Sequence, residues 1–167
     1  GYRCADGRCI CEDAFEYNDS FDDFAQVCGG GVGGVNCMQE AWSLDLQASL
    51  HDQNDIDLYA LEVLDAPTSI VAQTYNGLSD RVVYMTYLCP DGFVGMWSCS
   101  GTIDSIQGIT FCTSDGDVVG FERGCEPSSG YGVGTLLVGV ESKDFEGDCD
   151  DYGLKITATF GPGIPPF

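Results

Sequence analysis

A polar cluster runs directly into an alternating pattern in the stretch around which we expect the rest of the chain to be organised, His51-Asp52-Gln53-Asn54-Asp55-Ile56-Asp57-Leu58-Tyr59-Ala60-Leu61-Glu62-Val63. Side chains that alternate between two faces over four to eight residues predict a half-buried β-strand. One face of this strand carries Tyr59, Leu61 and Val63, and the other carries Leu58, Ala60 and Glu62.

The polar half of this stretch is predicted to be a loop at the mouth of the strand. Asp52, Asn54, Asp55 and Asp57 supply carboxylate and amide oxygens within six residues. Such oxygens are the ligands that a hard cation such as calcium prefers, because they replace its water without a rigid geometry. The alternative is a solvated, acid-capped turn.

Further short apolar runs, separated by Gly, Asp and Asn, predict strands along most of the chain. The content of 23 Gly, 8 Tyr and 9 Phe, with recurring Val, Ile and Thr, favours strands over helices. Eight or nine short strands in one domain predict an all-β sandwich or barrel. Their expected positions are 41–50, 57–64, 68–75, 81–88, 92–98, 107–112, 117–122, 133–141 and 152–160.

Length and composition predict one principal domain with a short appendage at each end. A chain of 167 residues that is 44% hydrophobic can bury a packed core. Residues 1–15 hold three cysteines and few core residues, so we expect a disulfide-tied N-terminal hook. Residues 16–160 hold the sandwich, and residues 161–167 form a Pro/Gly tail that cannot join a sheet interior.

Ten cysteines in so short a chain predict five disulfides and an oxidising, extracellular compartment. Zinc is the competing use, but the chain has one histidine and its cysteines are scattered. Gly1 without a preceding Met fits a removed secretory signal, and no apolar run is long enough to span a membrane. The short loops predict the local pairs Cys28–Cys37, Cys89–Cys99 and Cys112–Cys125, with Cys149 joined to the hook. The expected disulfide cysteines are Cys4, Cys9, Cys11, Cys28, Cys37, Cys89, Cys99, Cys112, Cys125 and Cys149.

The formal charge of −21, from 27 acidic and 6 basic residues, excludes nucleic acid as a partner. A phosphate backbone would be repelled, and no basic stripe counters that repulsion. Bound divalent cations are one way to offset such an excess of negative charge, and solubility is the other explanation for it.

Three motifs carry a resemblance to a known family. Glu16-x-Asn18-Asp19-Ser20-Phe21, Asp55-x-Asp57-x-Tyr59-x-Leu61-x-Val63 and the closing pair of segments, 134–140 and 151–157, occur in the order found in bacterial pre-peptidase C-terminal domains. The chain resembles that family, which is related to the collagen-binding domains of bacterial collagenases. The resemblance covers about residues 16–160 and implies a secreted jelly-roll β-sandwich without catalysis of its own.

The resemblance also implies a calcium site. Calcium-binding members take ligands from the acidic segment before the first strand and from the loop that enters the Asp-x-Tyr strand. A single calcium ion is what the pattern supports, because Ala14 and Tyr17 depart from the family at two positions. The matching residues are Glu16, Asn18 and Asp19, with Asn54 and Asp57 and with Asp55 as a further candidate.

Nothing in the sequence singles out a catalytic centre. His51 is the only histidine, so most triad and dyad schemes are absent, and neither GxSxG nor HExxH occurs. With 27 acids, paired carboxylates for a hydrolase arise by chance and carry little weight. The alternating acids of 144–151 are a second cation candidate, but they lack the glycine of an EF-hand loop and are predicted to form a solvated loop.

We therefore expect a non-catalytic secreted structural or adhesion protein that assembles with copies of itself at the extracellular surface, as an oligomer or filament. One alternative is a targeting domain of a secreted peptidase that binds an extracellular protein or polysaccharide. The other is a small carboxylate-dependent hydrolase. Ile164 and Phe167 of the tail and Trp97 are the candidate partner-binding residues, although burial in the core is the alternative for Trp97.

Overall fold

The computed structural model describes residues 2–5, 8–11, 25–27, 41–51, 54–63, 69–77, 80–114, 116–123, 134–145 and 149–159. These residues form strands and turns, with no helix among them. The predicted strands 41–50 and 81–88 have the observed bounds, and most of the other predicted strands end within two residues of observed ones. The strands are β1 (Tyr2–Ala5), β2 (Arg8–Cys11), β3 (Ala25–Gln26), β4 (Ala41–Leu50), β5 (Ile56–Val63), β6 (Ser69–Tyr75), β7 (Arg81–Leu88), β8 (Met96–Cys99), β9 (Thr102–Ile106), β10 (Ile109–Ser114), β11 (Val118–Arg123), β12 (Gly134–Ser142) and β13 (Asp150–Thr159).

Two sheets carry the fold. Sheet I has the order β3-β5-β12-β7-β10-β9, and sheet II has the order β4-β13-β6-β11-β8. Strands from β4 to β8 alternate between the two sheets, and so do β10 to β13. The inner orders β5-β12-β7-β10 and β4-β13-β6-β11 are those of a jelly roll, so the predicted jelly-roll sandwich is confirmed.

Three features extend this plan. β1 and β2 pair as a two-stranded hairpin within the predicted hook, with Cys4 opposite Cys9 in the backbone register. β3 pairs in parallel with β5. β9 pairs with β10 through a two-residue turn in which Gln107 and Gly108 have φ angles of 51° and 84°, as a type I′ hairpin requires.

The main core lies between the sheets. It is built from the inward-facing side chains of every long strand, including Leu44, Leu46 and Leu50 of β4 and Leu154 and Ile156 of β13, all at most 6% exposed. Burying side chains of this size contributes about 1.5–3 kcal/mol each relative to exposure. The apolar face that alternation predicts for a strand is therefore the face that packs against the other sheet.

The outer face of sheet I is buried as well, which differs from the half-buried strand predicted at β5. Leu58 and Ala60 are at most 2% exposed, and Glu62 is the exposed residue of that face. Leu58 and Tyr84 meet across Gly139, where an added Cβ would lie 3.0 Å from each side chain. The prediction of one buried face was wrong because alternation alone cannot report a second apolar cluster, here Ala60, Val82, Tyr84, Phe111 and Leu137.

The disulfide pattern differs from the predicted local pairs. Cys99, which ends β8, is bonded to Cys112 in the middle of β10, with Cα atoms 5.5 Å apart. The predicted pairs Cys89–Cys99 and Cys112–Cys125 are therefore wrong. The bond joins sheet II to sheet I, whereas the prediction placed each disulfide across a loop between neighbouring strands. Cys89 and Cys149 are also disulfide-bonded, and the described part of the chain has no free cysteine. Cys28 and Cys37 lie outside that part.

Candidate functional site

The acidic stretch that opens β5 leads into a buried polar layer at one end of the sandwich. β5 and β7 both run antiparallel to β12, so they begin at the same end of sheet I. Asp57 is the second residue of β5 and Arg81 is the first of β7. We use the name polar layer for Asp57, Tyr59, Arg81, Asp150 and Tyr152.

Two tyrosines connect the sheets within this layer. The Tyr152 hydroxyl on β13 donates to Oδ2 of Asp57 on β5, at 2.5 Å. The oxygens of Tyr59 and Tyr152 are 2.9 Å apart. Since Tyr152 has one proton and gives it to Asp57, Tyr59 is the donor in the second bond. The result is a chain of hydrogen bonds from Tyr59 through Tyr152 to the carboxylate.

An ion pair completes the layer. Nη2 of Arg81 lies 2.6 Å from Oδ2 of Asp150, and each side chain is 2% exposed. The guanidinium carbon is also 5.2 Å from the centre of the Tyr152 ring, in a cation–π contact. Gly77 allows this position, because any Cβ there would overlap the guanidinium. Arg81 thus contacts the Asp150 carboxylate and the ring of Tyr152, whose hydroxyl donates to Asp57.

The electrostatics of the layer keep Tyr152 protonated. Burial, followed by the negative charge of Asp57, raises the pKa of Tyr152 well above its usual value of 10.0. Tyr152 is therefore a hydrogen-bond donor at neutral pH and not a base. Because all five side chains are at most 3% exposed, this arrangement joins the two sheets and offers no surface to a substrate.

Three of the predicted calcium ligands, Asn54, Asp55 and Asp57, lie in the described part of the chain and differ in exposure. Asn54 is exposed, whereas Asp55 is 8% exposed and Asp57 is 3% exposed. Oδ2 of Asp55 accepts the backbone N–H of His51 at 2.5 Å, which closes the turn before β5. Glu16, Asn18 and Asp19 lie outside the described residues.

A calcium site is therefore not formed by the described ligands alone. Asp57 already accepts the Tyr152 proton, and no group of three acidic, histidine or cysteine side chains in the described ranges could hold a metal ion. The predicted calcium site also includes Glu16, Asn18 and Asp19, and it stays a prediction.

His51 lies beside this turn, half-buried. Its Nδ1 is 3.7 Å from Oδ2 of Asp55, which is longer than a hydrogen bond. The histidine and the acid four residues later therefore form a loose pair at the edge of the polar layer.

The acidic segment 144–151 contains one residue whose environment was predicted wrongly. Asp150 was predicted to be solvated with its neighbours, but it is 1% exposed and paired with Arg81. Asp144 and Asp151 are exposed, as predicted. Arg81 itself was overlooked, and the signal for it was a base at the head of an apolar run in a chain with six bases.

The candidate partner-binding residues are located only in part. The backbone of Trp97 belongs to β8, the edge strand of sheet II, and its side chain lies outside the described part of the structure. Ile164 and Phe167 also lie outside it. Among the residues described, no helix is long and apolar enough to cross a membrane.

The chain matches no protein-family model and no curated protein sequence. The resemblance to pre-peptidase C-terminal domains therefore remains a prediction, and the class defined by the fold is that of jelly-roll β-sandwiches.

Proposed function

We propose that this protein is a non-catalytic, secreted structural or adhesion module that assembles with copies of itself. The observation that supports this most is the use made of its reactive side chains. The Asp57 carboxylate accepts a hydrogen bond from Tyr152, that of Asp150 from Arg81 and that of Asp55 from the backbone N–H of His51. In this arrangement the groups that the sequence offered for chemistry stabilise one end of the sandwich.

Secretion is supported by the state of the cysteines. Cys89, Cys99, Cys112 and Cys149 are all disulfide-bonded. Disulfides persist in oxidising compartments and are rare where thiols are kept reduced. A disulfide between the two sheets also suits a protein that must survive outside the cell.

Self-assembly is supported by strand β9, the last strand of sheet I. Its residues Thr102 to Ser105 are exposed, and Ile103 is 64% exposed. β10 pairs with one side of β9, and within the described part of the chain no strand pairs with the other. Natural sheet edges are usually protected by charged side chains, especially Lys, by Pro or by a bulge. The sequence Thr-Ile-Asp-Ser-Ile contains neither Lys nor Pro, and Asp104 is its single charge. An edge of this kind can add a strand from a second copy.

The net charge sets the conditions for assembly. Copies that each carry a formal charge of −21 repel one another at low ionic strength. Salt screens this repulsion with a Debye length of about 8 Å at 0.15 M, so assembly should increase with ionic strength. Charge repulsion between copies would then oppose strand pairing along β9 less strongly.

The test combines light scattering after size exclusion with negative-stain microscopy over a range of salt concentrations. Ile103→Lys places a charge on the β9 edge and should shift the protein toward monomer. Val118→Lys is the matched control, because Val118 is 45% exposed but lies on β11, between β6 and β8.

Two results would contradict the proposal. One is a native protein that is monomeric at every concentration and ionic strength. The other is an Ile103→Lys variant that assembles as the wild type does. Removal of residues 161–167 distinguishes edge pairing from docking of the tail on a second copy. If the tail joins the copies, this deletion should leave a folded monomer, whereas Ile103→Lys should not.

A further inference from the structure

The outer face of sheet II carries an aromatic ring that lies flat on the sheet. Tyr75 of β6 is opposite Gly153 of β13, and Gly153 is in turn opposite Gln47 of β4. A Cβ added at Gly153 would fall within 2.6 Å of the Tyr75 atoms Cζ, Cε1 and Cε2. These three similar distances place the glycine under the face of the ring. Since Tyr75 is only half-buried, its opposite face is turned toward solvent.

Two side chains of β4 hold the ring in this orientation. The Tyr75 hydroxyl donates to Oδ1 of Asp45. Nε2 of Gln47 donates to the Tyr75 oxygen at 2.8 Å and approaches Oδ1 of Asp45 at 3.4 Å. We call Tyr75, Asp45 and Gln47 the Tyr75 platform. A ring that is fixed before binding loses little conformational entropy when a ligand stacks on it.

The platform combines the groups that recognise a sugar ring. The C–H face of a pyranose is apolar and flat, so it can cover an aromatic face, while the hydroxyls at its rim need polar partners. The bonds inside the platform use Oδ1 of Asp45 and Nε2 of Gln47, so Oδ2 and Oε1 retain acceptor capacity for hydroxyl donors. Stacking and rim hydrogen bonds are thus available within one cluster.

The surroundings indicate a polymer without charge. Exposed Gln73 and Lys155 continue the outer face beside the ring, so the surface next to the platform is open. An extended chain can cover such a surface better than a small molecule, which binds in concave sites. Asp45 and the net charge of −21 disfavour anionic polymers.

From these contacts we infer that the Tyr75 platform is a binding site for a neutral polysaccharide. The inference goes beyond the self-assembly proposed above and does not depend on it. The platform is on the face of sheet II, whereas β9 is the edge of sheet I, so either property can fail without the other.

The experiment measures retention of the intact, disulfide-bonded protein by polysaccharides. Affinity gels containing soluble neutral β-glucan, mannan or starch are compared with gels containing anionic alginate, and insoluble cellulose and chitin are tested by pull-down. We expect retention by at least one neutral polymer and none by alginate. Tyr75→Ala should weaken binding at least about tenfold, whereas Tyr75→Phe, which keeps the stacking face, should stay within about threefold of the wild type.

Further variants separate binding from stability. Val71→Ala changes an exposed side chain of the same strand and face and should bind as the wild type does. Gly153→Ala should lift the ring from the sheet and weaken binding although Tyr75 is intact. If Tyr75→Ala melts below the assay temperature, Gln47→Ala, which removes a rim group and leaves the ring, takes its place and should weaken binding.

Three outcomes would overturn the inference. The first is a wild-type protein that is retained by none of the neutral polymers. The second is binding that Tyr75→Ala, or Gln47→Ala in its place, leaves unchanged. The third is retention only by a protein ligand such as a collagen gel, which would assign the face to protein recognition. In the first case the ring serves only to cover Gly153.

Discussion

The Tyr152 hydroxyl donates a hydrogen bond of 2.5 Å to Oδ2 of Asp57, although the two residues are 95 positions apart in the chain. The bond joins β13 of sheet II to β5 of sheet I inside the polar layer. A carboxylate that is 3% exposed would be costly without such a donor. The acid that looked like a calcium ligand in the sequence is therefore also a structural acceptor.

Loss of this donor should destabilise the fold. Tyr152→Phe leaves the buried Asp57 carboxylate without the hydroxyl and should lower the free energy of unfolding by about 1–3 kcal/mol, measured by urea denaturation. Tyr75→Phe removes a hydroxyl on the exposed outer face and should change it by at most about 0.5 kcal/mol. Equal effects of the two variants would show that the buried bond has no special weight.

The raised pKa of Tyr152 predicts a loss of stability in alkali. The unfolded chain releases this proton near its usual pKa of 10.0, whereas the folded protein retains it. The contribution of the protonated hydroxyl is therefore complete below about pH 10 and declines as the pH rises further toward the folded-state pKa. Above about pH 10, the unfolding free energy should fall more steeply with pH in the wild type than in Tyr152→Phe, by up to about 1.4 kcal/mol per pH unit. Parallel curves would contradict the assignment.

The Arg81–Asp150 pair should show strong coupling. Arg81→Met leaves a carboxylate that is 2% exposed without its partner, and a loss of about 3–5 kcal/mol is expected. The double variant Arg81→Met/Asp150→Leu replaces both charges by apolar groups and should be more stable than Arg81→Met alone. A double-mutant cycle from urea denaturation measures this coupling. Simple additivity of the two changes would refute it.

The Cys99–Cys112 bond can be mapped without reduction. A protease that cleaves before aspartate separates residues 91–103 from residues 104–114, and mass spectrometry should detect these two peptides linked. A link from 80–90 to 91–103 would instead indicate Cys89–Cys99. Replacement of both cysteines by alanine should cost about 3 kcal/mol, from the chain entropy of a loop of this length.

Calcium binding is tested by removal of the ion. If calcium binds the folded state alone, it stabilises that state by about 2.7 kcal/mol at a hundredfold excess over its dissociation constant, and a chelator should lower the melting temperature. Asn54→Ala should reduce the shift and is a cleaner variant than Asp57→Ala, which also removes the acceptor of Tyr152. A melting curve that chelator leaves unchanged would argue against the site.

Strand positions were predictable where the strand carries a local apolar pattern. β4 was placed at its observed bounds by alternation, whereas β7 was placed by a mostly apolar run that is buried on both faces. β9 was missed since four of its five residues are exposed, so burial leaves no pattern in them. The predicted strand 92–98 is reduced to β8 at Met96–Cys99, because a turn occupies residues 90–92.

A disulfide-bonded all-β domain could be predicted from the chain alone, because composition, alternation and cysteine density are local properties. The pairing of Cys99 with Cys112, of Arg81 with Asp150 and of Tyr152 with Asp57 became evident only from the folded arrangement. These partners are 13, 69 and 95 residues apart. Which distant groups meet depends on strand order and register, and these follow from burying all the apolar faces at once.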